Sequence, residues 1–200
     1  CCAALALADR GCSVTVFDKR RQPLMEASSQ GEGKLHLGFV YAADRSFRTA
    51  RLMQRGASVF LEILSRWTQR RDLEALRSQH FNYAVHRDSM LSVQEVEQHF
   101  ERISAEWRAG KDWAASRRLP QAELEALYDP ALVQAAFSTG EFAMDTPRVA
   151  ELLRRAVDAE PRITLQTEID VARVARTARG FDIHGARQDA PIVDGPYATV

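Results

Sequence analysis

Apolar residues along the chain follow two different periods. Residues 1–10 are rich in Ala and Leu, and Gly11 follows as a helix stop. Ser-Val-Thr-Val-Phe-Asp at 13–18 is β-branched and predicts a strand closing on an acid. A helix, a Gly and a short strand form the middle of a βαβ unit. Residues 19–43 hold few apolar positions before Leu35, with Gly31, Gly33 and Gly38 among them, and predict a long irregular loop. From Asp44 the period becomes helical. Leu52, Met53, Val59, Phe60, Ile63, Leu64 and Trp67 recur at three- and four-residue spacing, which predicts a helix over 46–69.

Strands are expected at 81–85 and 89–91. Ser92 with Glu95 makes a capping box for a helix from 93 to about 109. A polar stretch leads to a short helix at 121–127, and Asp129-Pro130 marks a turn. Residues 132–144 leave helix and strand open, with strand character at Ala136-Phe137 and Glu141-Phe142-Ala143. Thr146-Pro147 opens a helix over 147–159 with Val149, Leu152, Leu153 and Val157 on one face. Strands follow at 163–166, 169–175 and 181–184, with a turn at 177–180. A last strand starts near Ile192 and resumes at Ala198-Thr199-Val200.

Composition narrows the class. With 46% hydrophobic residues in 200, the chain is no disordered tail. No apolar run approaches the length of a membrane span. Lys plus Arg and Asp plus Glu both total 27, so the basic excess of a nucleic-acid surface is missing. The three Cys (1, 2 and 12) show no metal spacing, and no metal site is expected. A reducing, cytoplasmic setting is the default. The chain starts without Met, and both ends fall inside predicted elements. The expectation is a fragment of a longer protein, inactive by itself and a poor binder of cofactor.

The chemistry begins at 1–19. Dinucleotide-binding units place a Gly-rich turn before a helix, and an acid at the end of the next strand accepts ribose hydroxyls. Ala4, Leu7 and Gly11 fit the helix of such a unit if its last Gly precedes Cys1, and Asp18 then falls at the ribose position. An acid there favours FAD or NAD over NADP.

Three patches carry a resemblance. They are Ala3-Ala4-Leu5-Ala6-Leu7-Ala8-Asp9-Arg10-Gly11 through Asp18-Lys19, then Ala27-Ser28-Ser29-Gln30-Gly31-Glu32-Gly33-Lys34-Leu35-His36-Leu37-Gly38-Phe39-Val40-Tyr41, then 145–183 from Asp145-Thr146-Pro147 to Phe181-Asp182-Ile183. In this order and spacing the chain resembles the flavoprotein oxidoreductases of the D-amino-acid oxidase superfamily. The resemblance implies an α/β (α+β mixed) fold, a Rossmann-like FAD-binding domain that is incomplete and carries an inserted substrate lobe. The implied domains are 1–74 and 145–200 for FAD, with 75–144 in the substrate lobe. It implies FAD as cofactor and a small amine, amino acid or hydroxy acid as substrate, oxidised at a C–H beside nitrogen or oxygen. Oligomeric state is left open.

The resemblance also implies site residues. Asp18 would hold the ribose, and the backbone of Val171 the adenine. Lys19 and Arg20 either flank the adenosine or form a solvated basic turn. Ser28, Ser29, Gln30, Gly31, Gly33, Lys34 and Leu35 would wrap the pyrophosphate; the plain alternative is a flexible surface loop. Glu32 departs from the family pattern, since an acid beside pyrophosphate is repulsive, and should point away. His36 is the candidate catalytic group on the flavin side, against a structural loop histidine. His80, His86, His99 and His184 lack ligand spacing, Trp67, Trp107 and Trp113 read as core or interface, Glu95, Glu97 and Glu101 as a solvated face, and Arg154-Arg155 as a surface pair. The alternatives are an NAD-dependent dehydrogenase, which would need a longer parallel sheet, and a non-catalytic dinucleotide-binding or interaction module.

Overall fold

The computed structural model describes residues 1–70, 72–107 and 112–200. In chain order the elements are α1 (Cys2–Ala8), β1 (Val14–Phe17), α2 (Ala27–Gln30), β2 (Lys34–Leu35), α3 (Arg48–Thr68), β3 (Asn82–His86), α4 (Val93–Glu106), β4 (Ser116–Arg118), α5 (Gln121–Leu127), β5 (Val133–Thr139), β6 (Phe142–Ala143), α6 (Thr146–Ala159), β7 (Ile163–Gln166), β8 (Asp170–Thr177), β9 (Gly180–Arg187) and β10 (Ala190–Tyr197). Helices and sheets are mixed, as the sequence implied. The chain divides into two compact units: Cys1–Gly31 with Thr146–Val200, and Glu32–Asp145.

In the first unit β1 pairs in parallel with β7, Val14 opposite Ile163 through Phe17 opposite Gln166. Parallel strands need a crossover with a helix, and here α6 leads into β7. Ala4, Leu5 and Ala8 of α1 and Ala150, Leu152, Leu153 and Val157 of α6 are buried, as the three- and four-residue spacing requires. Gly11 ends α1 with a φ of 84°, a conformation that suits glycine. Strands β8, β9 and β10 form an antiparallel meander with β9 central. Pro191 and Pro196 lie on edge strand β10, where a missing N–H is tolerated.

The second unit packs two antiparallel sheets with α3, α4 and α5. Strand β5 sits between β3 and β4, and a short ribbon pairs β2 with β6. The core is aromatic. Phe100 meets Phe39 at 4.8 Å and Phe137 at 5.0 Å between ring centroids, both edge-on. Such pairs add about 0.5–1.5 kcal/mol beyond their buried area. The Arg77 guanidinium lies over Phe142 and Trp113, 4.2 and 4.7 Å from the ring centroids, and burial pulls its pKa down.

Several expectations need correction. Residues 89–91 form no strand: the Ser89 amide closes a turn onto the His86 carbonyl at 3.0 Å, and Met90 is 95% exposed. The loop 19–43 is less irregular than expected, since it holds α2, β2 and a 3-10 turn at Phe39–Tyr41. Helix α3 buries Ala50, Gln54, Ala57, Leu61 and Leu64; of the predicted apolar positions Leu64 is buried, Met53, Phe60, Ile63 and Trp67 are half-buried, and Leu52 and Val59 are exposed. Strand 163–166 joins β1, leaving the antiparallel arrangement to β8–β10. Helix α4 ends at Glu106; positions 108 and 109 of the expected helix lie outside the described residues. Strand β10 stops at Tyr197, so Ala198–Val200 do not resume it. The capping box is present, with the Ser92 hydroxyl accepting from the Glu95 amide at 3.2 Å and the Glu95 carboxylate accepting from the Ser92 amide at 2.9 Å.

Candidate functional site

In the first unit Asp18 sits at the carboxyl end of β1. Its amide donates to the Gln166 carbonyl at 3.0 Å, and its carbonyl accepts from Ile169 at 3.1 Å. Its carboxylate accepts the Arg20 amide at 2.8 Å. These bonds fix an acid at the edge of a parallel strand pair, where ligands of α/β sheets gather. Lys19, Arg20 and Arg21 line a groove of about 580 Å³ with Glu168 and Asp170. Arg20 pairs with Glu26. Val171 lies on β8 opposite Gly185, next to a bulge, and is 39% exposed.

Ser28, Ser29 and Gln30 form the single turn of α2, and Gly31 follows it. Part of their polar capacity is used locally. The Ser29 hydroxyl donates to the Glu26 carbonyl at 3.2 Å, and the Thr146 hydroxyl lies 3.1 and 3.0 Å from the Ser29 and Gly31 carbonyls. Arg154 is no surface partner of Arg155: its guanidinium donates to the Pro23 carbonyl at 2.8 Å and the Leu24 carbonyl at 3.4 Å, which ties the segment after β1 to α6.

In the second unit Gly33 accepts the Met144 amide at 2.9 Å, and Lys34 and Leu35 form β2 opposite Ala143 and Phe142. Lys34 is engaged by Glu32 at 2.5 Å, and this partner holds the Glu32 carboxyl below its usual range.

The most constrained group is Glu141, which precedes β6 and is fully buried. Its Oε1 accepts the Leu37 amide at 2.5 Å and the Gly38 amide at 3.2 Å. Its Oε2 accepts the Tyr83 hydroxyl and lies 3.3 Å from His36 Nδ1. Burying a carboxylate costs several kcal/mol. Hydrogen bonds to a charged group return about 1.5–3 kcal/mol each, and three donors, the Leu37 and Gly38 amides and the Tyr83 hydroxyl, meet this carboxyl group. Burial first, and the Glu141 carboxylate second, push the Tyr83 phenol well up, so it stays a donor. Gly38 is held from both sides. His99 Nε2 donates to its carbonyl at 2.9 Å, since a carbonyl only accepts. Gly38 has φ 111°, and a Cβ there would lie 2.5 Å from Ala50 Cβ.

His36 is therefore brought to Glu141, Tyr83 and the Leu37–Gly38 backbone. Its side chain remains 26% exposed, and the Tyr41 ring lies edge-on at 6.3 Å. Sequence reasoning missed Glu141, Tyr83 and His99. A signal existed for two of them: Glu141 is the one acid within the apolar stretch 131–144, and His99 sits on the apolar stripe Val96, His99, Phe100, Ile103 of α4. A larger groove, about 1060 Å³, runs along α3 past Arg51, Glu106 and Trp107 and contains none of the expected site residues. Among the described residues no group of His, Cys, Asp and Glu could hold a metal ion. No helix among them is long and apolar enough to cross a membrane.

The fold of the chain is similar to those of solved structures. The chain matches L-amino acid deaminase from Proteus myxofaciens, solved with anthranilate, at a TM-score of 0.65 and 14% identity, covering 93% of this chain and 40% of that one. Glycine oxidase from Geobacillus kaustophilus matches at 0.65 and 17%, with 92% and 48% covered. Iminodiacetate oxidase from Chelativorans sp. matches at 0.64 and 21%, with 96% and 49% covered. The chain thus spans less than half the length of each of these structures, and at such identities they speak for the fold. No curated protein sequence matches the chain. A family description, FAD dependent oxidoreductase, matches residues 1–194. Nearly the whole chain is covered by that match, and the chain belongs to the FAD-dependent oxidoreductase family, whose cofactor is FAD.

Proposed function

We propose that the chain supplies the nucleotide-side and flavin-side contacts of an enzyme that oxidises a carbon bearing an amine or a hydroxyl group. The unit around β1 and β7 takes the nucleotide, and 75–144 contributes to the substrate lobe. FAD, when bound, supplies the two-electron acceptor. The observation that carries the reading is Asp18, fixed by Arg20 at the carboxyl end of a parallel strand. A carboxylate there can accept both hydroxyls of a ribose. Lys19 and Arg20 are assigned to the nucleotide's negative charge, Arg20 only by leaving Glu26, and the Val171 backbone is assigned to the adenine. Residues 28–31 and 33–35 are assigned to the pyrophosphate. Lys34 enters that role only by leaving Glu32. His36 is assigned to the flavin side. Oxidases and deaminases of amino acids among the structural relatives favour an amine-bearing substrate over a hydroxy acid.

The test is a titration of the full-length protein with FAD. Loss of a hydrogen bond to a charged group predicts that Asp18→Ala weakens FAD binding about tenfold to a hundredfold. Unchanged affinity would remove the ribose assignment. Under anaerobic conditions, bleaching of the flavin band by an amino acid but not by its hydroxy analogue would support the amine reading; the opposite order would overturn it.

A further inference from the structure

Glu141 is fully buried among hydrogen-bond donors, and it touches the one candidate group on the flavin side. We propose that Glu141 is the positioning residue of His36: it holds the imidazole in the tautomer with hydrogen on Nδ1, leaves Nε2 as an open acceptor, and clamps the Leu37–Gly38 backbone beneath it.

Three donors set the argument. The Leu37 and Gly38 amides can only donate, and they occupy Oε1. The Tyr83 hydroxyl donates to Oε2. A carboxyl so surrounded is best satisfied as an anion, which only accepts. His36 Nδ1, 3.3 Å from Oε2, must then carry a hydrogen. The second nitrogen is left with its lone pair, and the partly exposed ring lets it face a bound molecule. The other charged or titratable groups around the ring are Tyr41, whose ring lies edge-on, and Glu32 with its partner Lys34. Those two are already paired, so Glu141 is the dominant partner. His99, across Gly38, is committed to the backbone through Nε2.

The inference rests on the reading of His36 as a flavin-side group, but its test does not need catalysis. In full-length protein labelled with ¹⁵N-histidine, nitrogen–proton correlation spectra separate the two tautomers, and His36→Asn identifies the His36 signals. The expected result in the wild type is a neutral His36 with hydrogen on Nδ1. In Glu141→Gln the amide group faces the ring as a donor. Hydrogen should then move to Nε2. Glu141→Asp keeps the acceptor and should restore the Nδ1–H tautomer. A wild-type His36 with hydrogen on Nε2 overturns the proposal, and so does a Glu141→Gln variant with an unchanged tautomer. The wild-type spectrum decides even if the Gln variant does not fold. A protein with the Nδ1–H tautomer that binds no FAD would overturn the functional reading alone; a flavin-loaded protein with Nε2–H would overturn this inference alone.

Discussion

At the residue scale, position 38 shows how little freedom surrounds the site. Gly38 combines a positive φ with a neighbour too close for any side chain, and both its N–H and C=O are engaged. Gly38→Ala is expected to cost about 2–4 kcal/mol, from backbone strain and the clash with Ala50 together. Thermal unfolding would register this as a clear drop in Tm, and a loss under 1 kcal/mol would contradict the geometry. The Gly was visible in the sequence, as was His36. Their pairing with Glu141 and His99 was not, because Glu141 lies 105 residues from His36 and only the folded chain brings the two together. A buried acid leaves no periodic trace: it replaces one apolar residue in an apolar stretch and must be satisfied by donors from elsewhere.

At the element scale, helix ends are the best-read features. The Ser92 cap with Glu95 is present as the spacing predicts, and Ser92→Ala should destabilise by about 1 kcal/mol in a denaturant titration. Helix α3 follows its apolar spacing in the main, with Leu64 buried and Met53, Phe60, Ile63 and Trp67 half-buried, while Leu52 and Val59 face outward. Helices α3 and α4 are also joined by charge. Glu106 accepts from Arg51 at 2.8 and 3.0 Å and from Arg102 at 2.9 Å, and these bonds bring its pKa down to about 2. A carboxyl whose folded pKa is lowered stabilises the fold above its unfolded value, near 4.5, and that contribution disappears as pH falls towards 2. The three charges are largely solvated, so their contribution is small. Glu106→Gln should therefore lower stability slightly at pH 7 and make no difference at pH 2. A penalty that persists at pH 2 would point to packing instead.

At the scale of the whole molecule, local elements and the mixed fold class could be read from the sequence, while strand partnership could not. Strand 163–166 was placed correctly along the chain, yet nothing in its residues names 14–17 as its neighbour, because parallel pairing depends on what lies between the two strands. What lies between them is the second unit, which the chain enters after Gly31 and leaves before Thr146. The Thr146 hydroxyl lies 3.0 Å from the Gly31 carbonyl, and just inside the unit β2 and β6 run side by side. This neck has a consequence for the order of folding. Closing a loop costs entropy that grows with its length, and the β1–β7 pair closes one that runs from Phe17 to Ile163. Once the inserted unit has folded and drawn 34–35 against 142–143, that span is effectively short-circuited, so the parallel pair should form late and almost without a further search. Pulse-labelled hydrogen exchange during refolding should find amides of β3 and β5 protected before those of β1 and β7.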